Sequence, residues 1–137
     1  MATSPSEALD QLRREARDGS LARFCDAAGI DLLVAFGSAT DLGRPVPPRD
    51  LDLAVIMSGT RNLLQVLDTV VVHLGFEQVD LMDLARAGEV ARVQALGRGE
   101  LLYEDTPGTF AEQQILAFVQ HADTRWMRDL ELQDLAR

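Results

Sequence analysis

The residues best equipped for chemistry are Asp50 and Asp52, the Gly37-Ser38 pair upstream of them, and Asp80 downstream. On a strand, residues two apart project from one face about 6.5 to 7 Å apart, so Asp50 and Asp52 stand side by side while Leu51 and Leu53 face the core. At an effective dielectric of about 20, two such carboxylates repel by roughly 2 to 2.5 kcal/mol, and a divalent cation between them reverses the sign. Hard cations such as Mg²⁺ take carboxylate oxygens and keep positions open for substrate phosphates, which is the arrangement phosphoryl transfer needs. A Gly-Ser turn supplies the complementary half. Glycine lets the backbone approach a phosphate, and the Ser38 hydroxyl and nearby amides donate hydrogen bonds to it.

A third carboxylate is needed to complete the metal shell and to take the proton of an attacking hydroxyl. Asp80 lies in the apolar run Val79-Asp80-Leu81-Met82, where a charge is costly without a metal or partner. Asp83 has the simpler explanation of a helix cap. A lone DxD or a lone Gly-Ser carries little information in an Asp-rich chain. Joined on consecutive strands, with an aspartate on a third, they describe a candidate site: Asp50, Asp52 and Asp80 as catalytic and metal-binding, Gly37 and Ser38 as phosphate-binding.

The elements that must position these groups follow from periodicity and punctuation. Ser4-Pro5-Ser6 opens a first helix whose Leu9, Leu12 and Ala16 share a face, and Asp18-Gly19 stops it. Ser20 caps a second helix with Leu21, Phe24, Cys25 and Ala28 on one stripe, terminated at Gly29. Ile30 to Phe36 reads as a buried strand ending at Gly37-Ser38, and Leu51 to Met57 as the next. Between them Gly43, Pro45, Pro47 and Pro48 exclude regular structure. Ser58-Gly59-Thr60 forms a turn and cap before a helix with Leu63, Leu64, Leu67, Val70, Val71 and Leu74 on its apolar face, ended by Gly75. Phe76 to Met82 is expected as a third strand, with Asp83 capping a helix through Val90, Val93 and Leu96 that Gly97 and Gly99 break. Glu100 to Glu104 is a last strand, and Asp105-Thr106-Pro107-Gly108 turns into a helical tail from about Thr109.

The chain has 137 residues, 47% of them apolar, which suits one domain with a core at about 29–105 and a helical tail at 109–137. A net charge of −9 argues against binding along a nucleic-acid backbone, which needs clustered Lys and Arg. No apolar run reaches the length of a bilayer span, so no membrane partner is expected. A single cysteine and an N-terminus without an apolar core point to a reducing, cytoplasmic setting.

Phe36-Gly37-Ser38, the loop, Asp50-Leu51-Asp52-Leu53-Ala54-Val55 and Val79-Asp80-Leu81 together resemble the nucleotidyltransferase signature of the polymerase β superfamily. From Asp31 to Glu104, including Gly99-Glu100-Leu101-Leu102-Tyr103-Glu104, the chain is similar to the minimal nucleotidyltransferase (MNT) domains that act as antitoxins paired with a HEPN ribonuclease toxin. The resemblance implies an α/β fold of the polymerase β-like nucleotidyltransferase type, a small mixed sheet flanked by helices. It implies Mg²⁺ as cofactor, ATP as donor, and transfer of AMP onto a tyrosine hydroxyl of the partner toxin. Carried over by position, Gly37 and Ser38 hold the triphosphate, Asp50 and Asp52 bind Mg²⁺, and Asp80 completes the set. Arg44 stands where such loops often carry a basic residue, with a phosphate contact and a solvated loop arginine as its two readings. The Pro-rich loop and Arg49, where the family often has Ser, depart from the pattern. Two other readings stand beside this one: an antitoxin acting by contact alone, and an aminoglycoside-type transferase, for which no substrate domain is present.

Outside the constellation, His73 is expected to interact with the carbonyls at the end of its helix. Cys25 reads as core. Tyr103 reads as packed, with its hydroxyl a secondary candidate for self-modification. The tail, rich in Phe110, Leu116, Phe118, Trp126, Met127, Leu130 and Leu132, is expected to pack partly on the domain or on a second chain, identical or different, with Trp126 as the anchor.

Overall fold

A computed structural model describes residues 1–41, 43 and 45–135, with side chains through residue 122. Ten elements follow in order: α1 (Pro5–Asp18), α2 (Ser20–Ala28), β1 (Ile30–Phe36), a 3-10 turn (Gly37–Thr40), β2 (Leu51–Met57), α3 (Leu63–Leu74), β3 (Val79–Asp83), α4 (Glu89–Gly97), β4 (Glu100–Glu104) and α5 (Thr109–Leu135). The strands form one mixed sheet in the order β3-β2-β1-β4, with β2 and β3 parallel and the other pairs antiparallel.

Alternation along the central strands explains the two layers of packing. Leu33 and Ala35 of β1, with Leu51, Leu53 and Val55 of β2, face α1, α2 and α3, where Leu9, Leu12, Leu21, Cys25, Val70 and Leu74 are buried. Leu32, Val34 and Ala54 point the other way, onto Ala95 and Leu96 of α4, Ala117 of α5 and Leu84. Being covered on both faces, β1 and β2 read as nearly continuous apolar runs.

Local chemistry sets most boundaries. At the start of α1 the Ser4 hydroxyl accepts from the Glu7 amide, and Gly19 closes the helix at φ 89 with its amide bonded to the Glu15 carbonyl. The same Gly19 is the N-cap of α2, so Ser20 is its first helical residue rather than its cap; Asp18 Oδ1 accepts from the Ser20 amide. The cap of α3 is Asn62, whose Oδ1 accepts from Leu64 N at 2.8 Å, and not the Ser58-Gly59-Thr60 turn. Its buried face is Val66, Val70 and Leu74, while Leu64 is 72% exposed. Phe76 belongs to the end of α3, since its amide and that of Gly75 both bond to the Val71 carbonyl; β3 therefore begins only at Val79. Asp83 ends β3 and accepts from the Ala85 amide, and Gly88 is the N-cap of α4.

Helix α4 is fastened to α5 by Arg92, which donates to the Leu84 carbonyl and to Gln113 Oε1, and by Gln114, which donates to the Leu96 carbonyl at 2.8 Å. Phe110 packs inward, whereas Ile115, Phe118 and Val119 face outward. Trp126, Met127, Leu130 and Leu132 lie outside the described side chains. His73 Nε2 meets Glu15 Oε1 at 2.8 Å and its ring stacks on Phe24, so its partners are a carboxylate and an aromatic ring rather than helix-end carbonyls. No described helix is long and apolar enough to cross a membrane.

Candidate active site

Strand β1 delivers the chain into a turn at its C-terminal end, and glycine is required there on two counts. Gly37 sits at φ 76, in the left-handed region, and a Cβ on it would lie 2.3 Å from Asp52 Oδ2. The turn is closed by Thr40 Oγ1 donating to the Gly37 carbonyl at 2.7 Å and by the Asp41 amide donating to the Ser38 carbonyl at 3.2 Å. The Ser38 hydroxyl makes no hydrogen bond among the described residues and borders a cavity.

The carboxylates arrive by strand pairing. Asp52 is the register partner of Phe36, the last residue of β1, which places it against the turn. On its other side β3 runs parallel, and Asp52 is the partner of Asp80. Asp50 occupies the bend just before β2, on the rim of a cavity of about 220 Å³ that Ser38, Arg49, Asp52 and the prolines at 47 and 48 also line.

Asp80 is exposed, because β3 is the outermost strand. The expectation of a costly charge within an apolar strand does not hold, and what recommends Asp80 is its register opposite Asp52. Asp83 is placed in β3 opposite Val55, away from Asp52.

Electrostatics single out Asp52. Partial burial raises its pKa above the ordinary carboxylate value, and the charges of Asp80 and then Asp50 raise it further. The three acids therefore form one interacting group centred on Asp52. Among the described residues no three ligating side chains close into a ready-made cation cage. Mg²⁺ does not require one, since it is held by one or two carboxylates together with waters and substrate phosphates. The hard-oxygen donor set, and its unrelieved mutual repulsion, fit that ion.

A second cavity, of about 400 Å³, is lined by Gly37, Thr40 and Asp41 at the turn and by Gln94 and Arg98 at the α4 end. Sequence reasoning did not single out Gln94 or Arg98. The available signal was an arginine between Gly97 and Gly99, just ahead of the strand that pairs with β1. Arg44 lies outside the described residues. Arg49 has no carboxylate within ion-pair distance among the described residues, Asp52 included. Tyr103 packs on the face opposite that of Asp52, which removes it as an acceptor within its own chain.

No family model and no curated protein matches the chain. Solved structures do. A chain of a toxin–antitoxin complex with AMP-PNP superposes with a TM-score of 0.69 at 19% identity, covering 88% of this chain and 98% of that one. A chain of the MntA–HepT toxin–antitoxin complex gives 0.64 at 18%, covering 90% and 99%. A chain of the complex between a tri-AMPylated Shewanella oneidensis HEPN toxin and an MNT antitoxin gives 0.65 at 18%, covering 90% and 98%. The fold is thus that of these nearly whole chains, the small mixed-sheet nucleotidyltransferase fold.

Proposed function

We propose that this protein is a Mg²⁺-dependent nucleotidyltransferase that moves AMP from ATP onto a hydroxyl, a tyrosine in our reading, of a partner HEPN ribonuclease toxin, acting as its antitoxin. The observation that carries the reading is the position of Asp52: against Gly37, opposite Asp80, and raised in pKa by burial and then by Asp80 and Asp50. Two of the structurally similar complexes support the substrates, one holding AMP-PNP and the other a tri-AMPylated HEPN toxin with its MNT antitoxin.

The roles follow from placement. Gly37 and Ser38 receive phosphate oxygens through backbone amides and the free hydroxyl. Asp50 and Asp52 hold the metal, which when bound neutralises charge on the phosphates. Asp80, exposed at the sheet edge, is where a hydroxyl carried by another protein can reach a base. The acceptor oxygen attacks the α-phosphorus, the bond to the α–β bridging oxygen breaks, pyrophosphate leaves, and the acceptor proton passes to Asp80. The cytoplasmic setting and the Arg44 contact to phosphate are part of this proposal.

The test is incubation with α-labelled ATP, Mg²⁺ and the HEPN-type protein from the neighbouring open reading frame. Label should appear on the partner with the wild type and be lost with Asp50→Asn/Asp52→Asn while the complex persists. A stable complex without label in the wild type would identify an antitoxin that works by contact alone.

A further inference from the structure

We propose that Arg98, with Gln94 beside it, binds the pyrophosphoryl end of the nucleotide in the cavity that both share with Gly37, Thr40 and Asp41; the inference rests on the nucleotidyltransferase reading and assigns the leaving-group side of that site. The β1–β4 ladder is antiparallel, and its last pair is Ala35 with Glu100. Continuing that register two residues further sets Arg98 beside Gly37, and both line the cavity of about 400 Å³.

Arg92 within α4 and Arg98 at its C-cap meet different fates. Arg92 is engaged by the Leu84 carbonyl and Gln113 and holds α4 on α5. Arg98 is exposed, and its guanidinium has no ion pair or hydrogen bond among the described residues. Asp41, the acid lining the same cavity, instead accepts from the Gly43 amide at 3.1 Å. The backbone at Arg98 is nonetheless firmly placed. Its amide bonds to the Leu96 carbonyl as the helix cap, and a Cβ on Gly99 would lie 2.3 Å from the Ala95 carbonyl oxygen and 2.6 Å from Val34 Cγ1. The chain end of α4 is thus pressed onto β1, and Arg98 lines the cavity from a fixed anchor.

With the α-phosphate among Asp50, Asp52 and Asp80, the phosphates run past Gly37, which abuts Asp52 and lines this cavity, and reach it with their terminal groups. Bond breaking leaves the developing negative charge on pyrophosphate. A guanidinium presents a planar fork of donors suited to phosphate oxygens, and Gln94 adds an amide donor.

The experiment is calorimetric titration of the full-length protein with ATP, pyrophosphate and AMP in Mg²⁺, comparing wild type, Arg98→Ala and Arg98→Lys. Arg98→Ala should weaken ATP and pyrophosphate about tenfold, the loss expected for one charge-assisted bond, and leave AMP unchanged. Arg98→Lys should recover part of the loss. The apo melting temperature should not move, since the guanidinium makes no bond in the described structure. Equal weakening of AMP and ATP would place Arg98 on the nucleoside side and overturn the assignment, as would no weakening at all. Pyrophosphate bound through Arg98 by a wild type that does not bind ATP would keep the anion site and sink the nucleotidyltransferase reading instead.

Discussion

Asp52 is the residue on which stability and the proposed activity pull in opposite directions. Its folded-state pKa is raised, by burial first and by Asp80 and Asp50 next, so the folded protein holds a proton that the unfolded chain releases more readily. Stability therefore falls as pH rises from the ordinary carboxylate range through the raised value, and at neutral pH the ionised group is a net burden. Asp52→Asn should raise the melting temperature at pH 7, by about 1 kcal/mol in stability, while abolishing nucleotide transfer. Thermal melts should show the gain shrinking toward pH 3, where both states hold the proton. Gly37→Ala should behave differently. The substitution strains a left-handed residue and pushes a methyl into Asp52 Oδ2, so it should cost about 1–3 kcal/mol and also weaken ATP binding in titration. Asp50, Asp52, Gly37 and Ser38 could be singled out as candidates because their types and spacing name a chemistry directly, and the strand pairing brings Asp52 against Gly37. Asp80 was legible for a reason that fails: its strand is at the edge and the charge is solvated. What recommends it instead, its pairing with Asp52, requires knowing that β2 and β3 run parallel.

At the scale of elements, β1, β2 and β4 were legible to the residue, since each is a short apolar run bounded by glycine or turn residues. The errors fall where a polar residue has two uses. Asn62 took the capping role assigned to Ser58-Gly59-Thr60, and Phe76 completed a helix end instead of opening a strand. The α4 end was read only as a broken helix, because nothing local reveals that the next strand pairs with β1 and carries Arg98 to the turn. Long-range fastenings were also invisible: Arg13 Nε and Nη2 each reach Glu100 at 2.7 Å, tying α1 to β4. That pair holds the Glu100 carboxyl below its usual value, chiefly through the Arg13 hydrogen bond. Its contribution is present above the ordinary carboxylate range and is lost as pH falls through the lowered value. Both side chains are partly solvated, so Arg13→Ala should destabilise by about 1 kcal/mol at pH 7 and by less near pH 3, as denaturant titrations at the two pH values would show.

The whole molecule couples its ligand to its fold. An acidic group surrounded by a chain of net charge −9 has every reason to favour a cation, and Mg²⁺-ATP binding to the folded state alone should stabilise it by about 2.7 kcal/mol at a hundredfold excess over Kd. Differential scanning fluorimetry with Mg²⁺ and ATP together should show that rise, and Asp50→Asn/Asp52→Asn should lose most of it. The strand order has a consequence in time as well as in space. Asp80 rides on β3, a five-residue edge strand held by one neighbour and joined to it through the whole of α3. An edge of that kind detaches at lower free energy than the centre of a sheet. Amides of β3 should exchange with deuterium sooner than those of β1, so Asp80 parts from Asp50 and Asp52 in brief excursions that leave the core intact. The protein would then pass through moments of being folded yet inert, and substrate, by bridging β2 to β3, would lengthen its own dwell in the competent state.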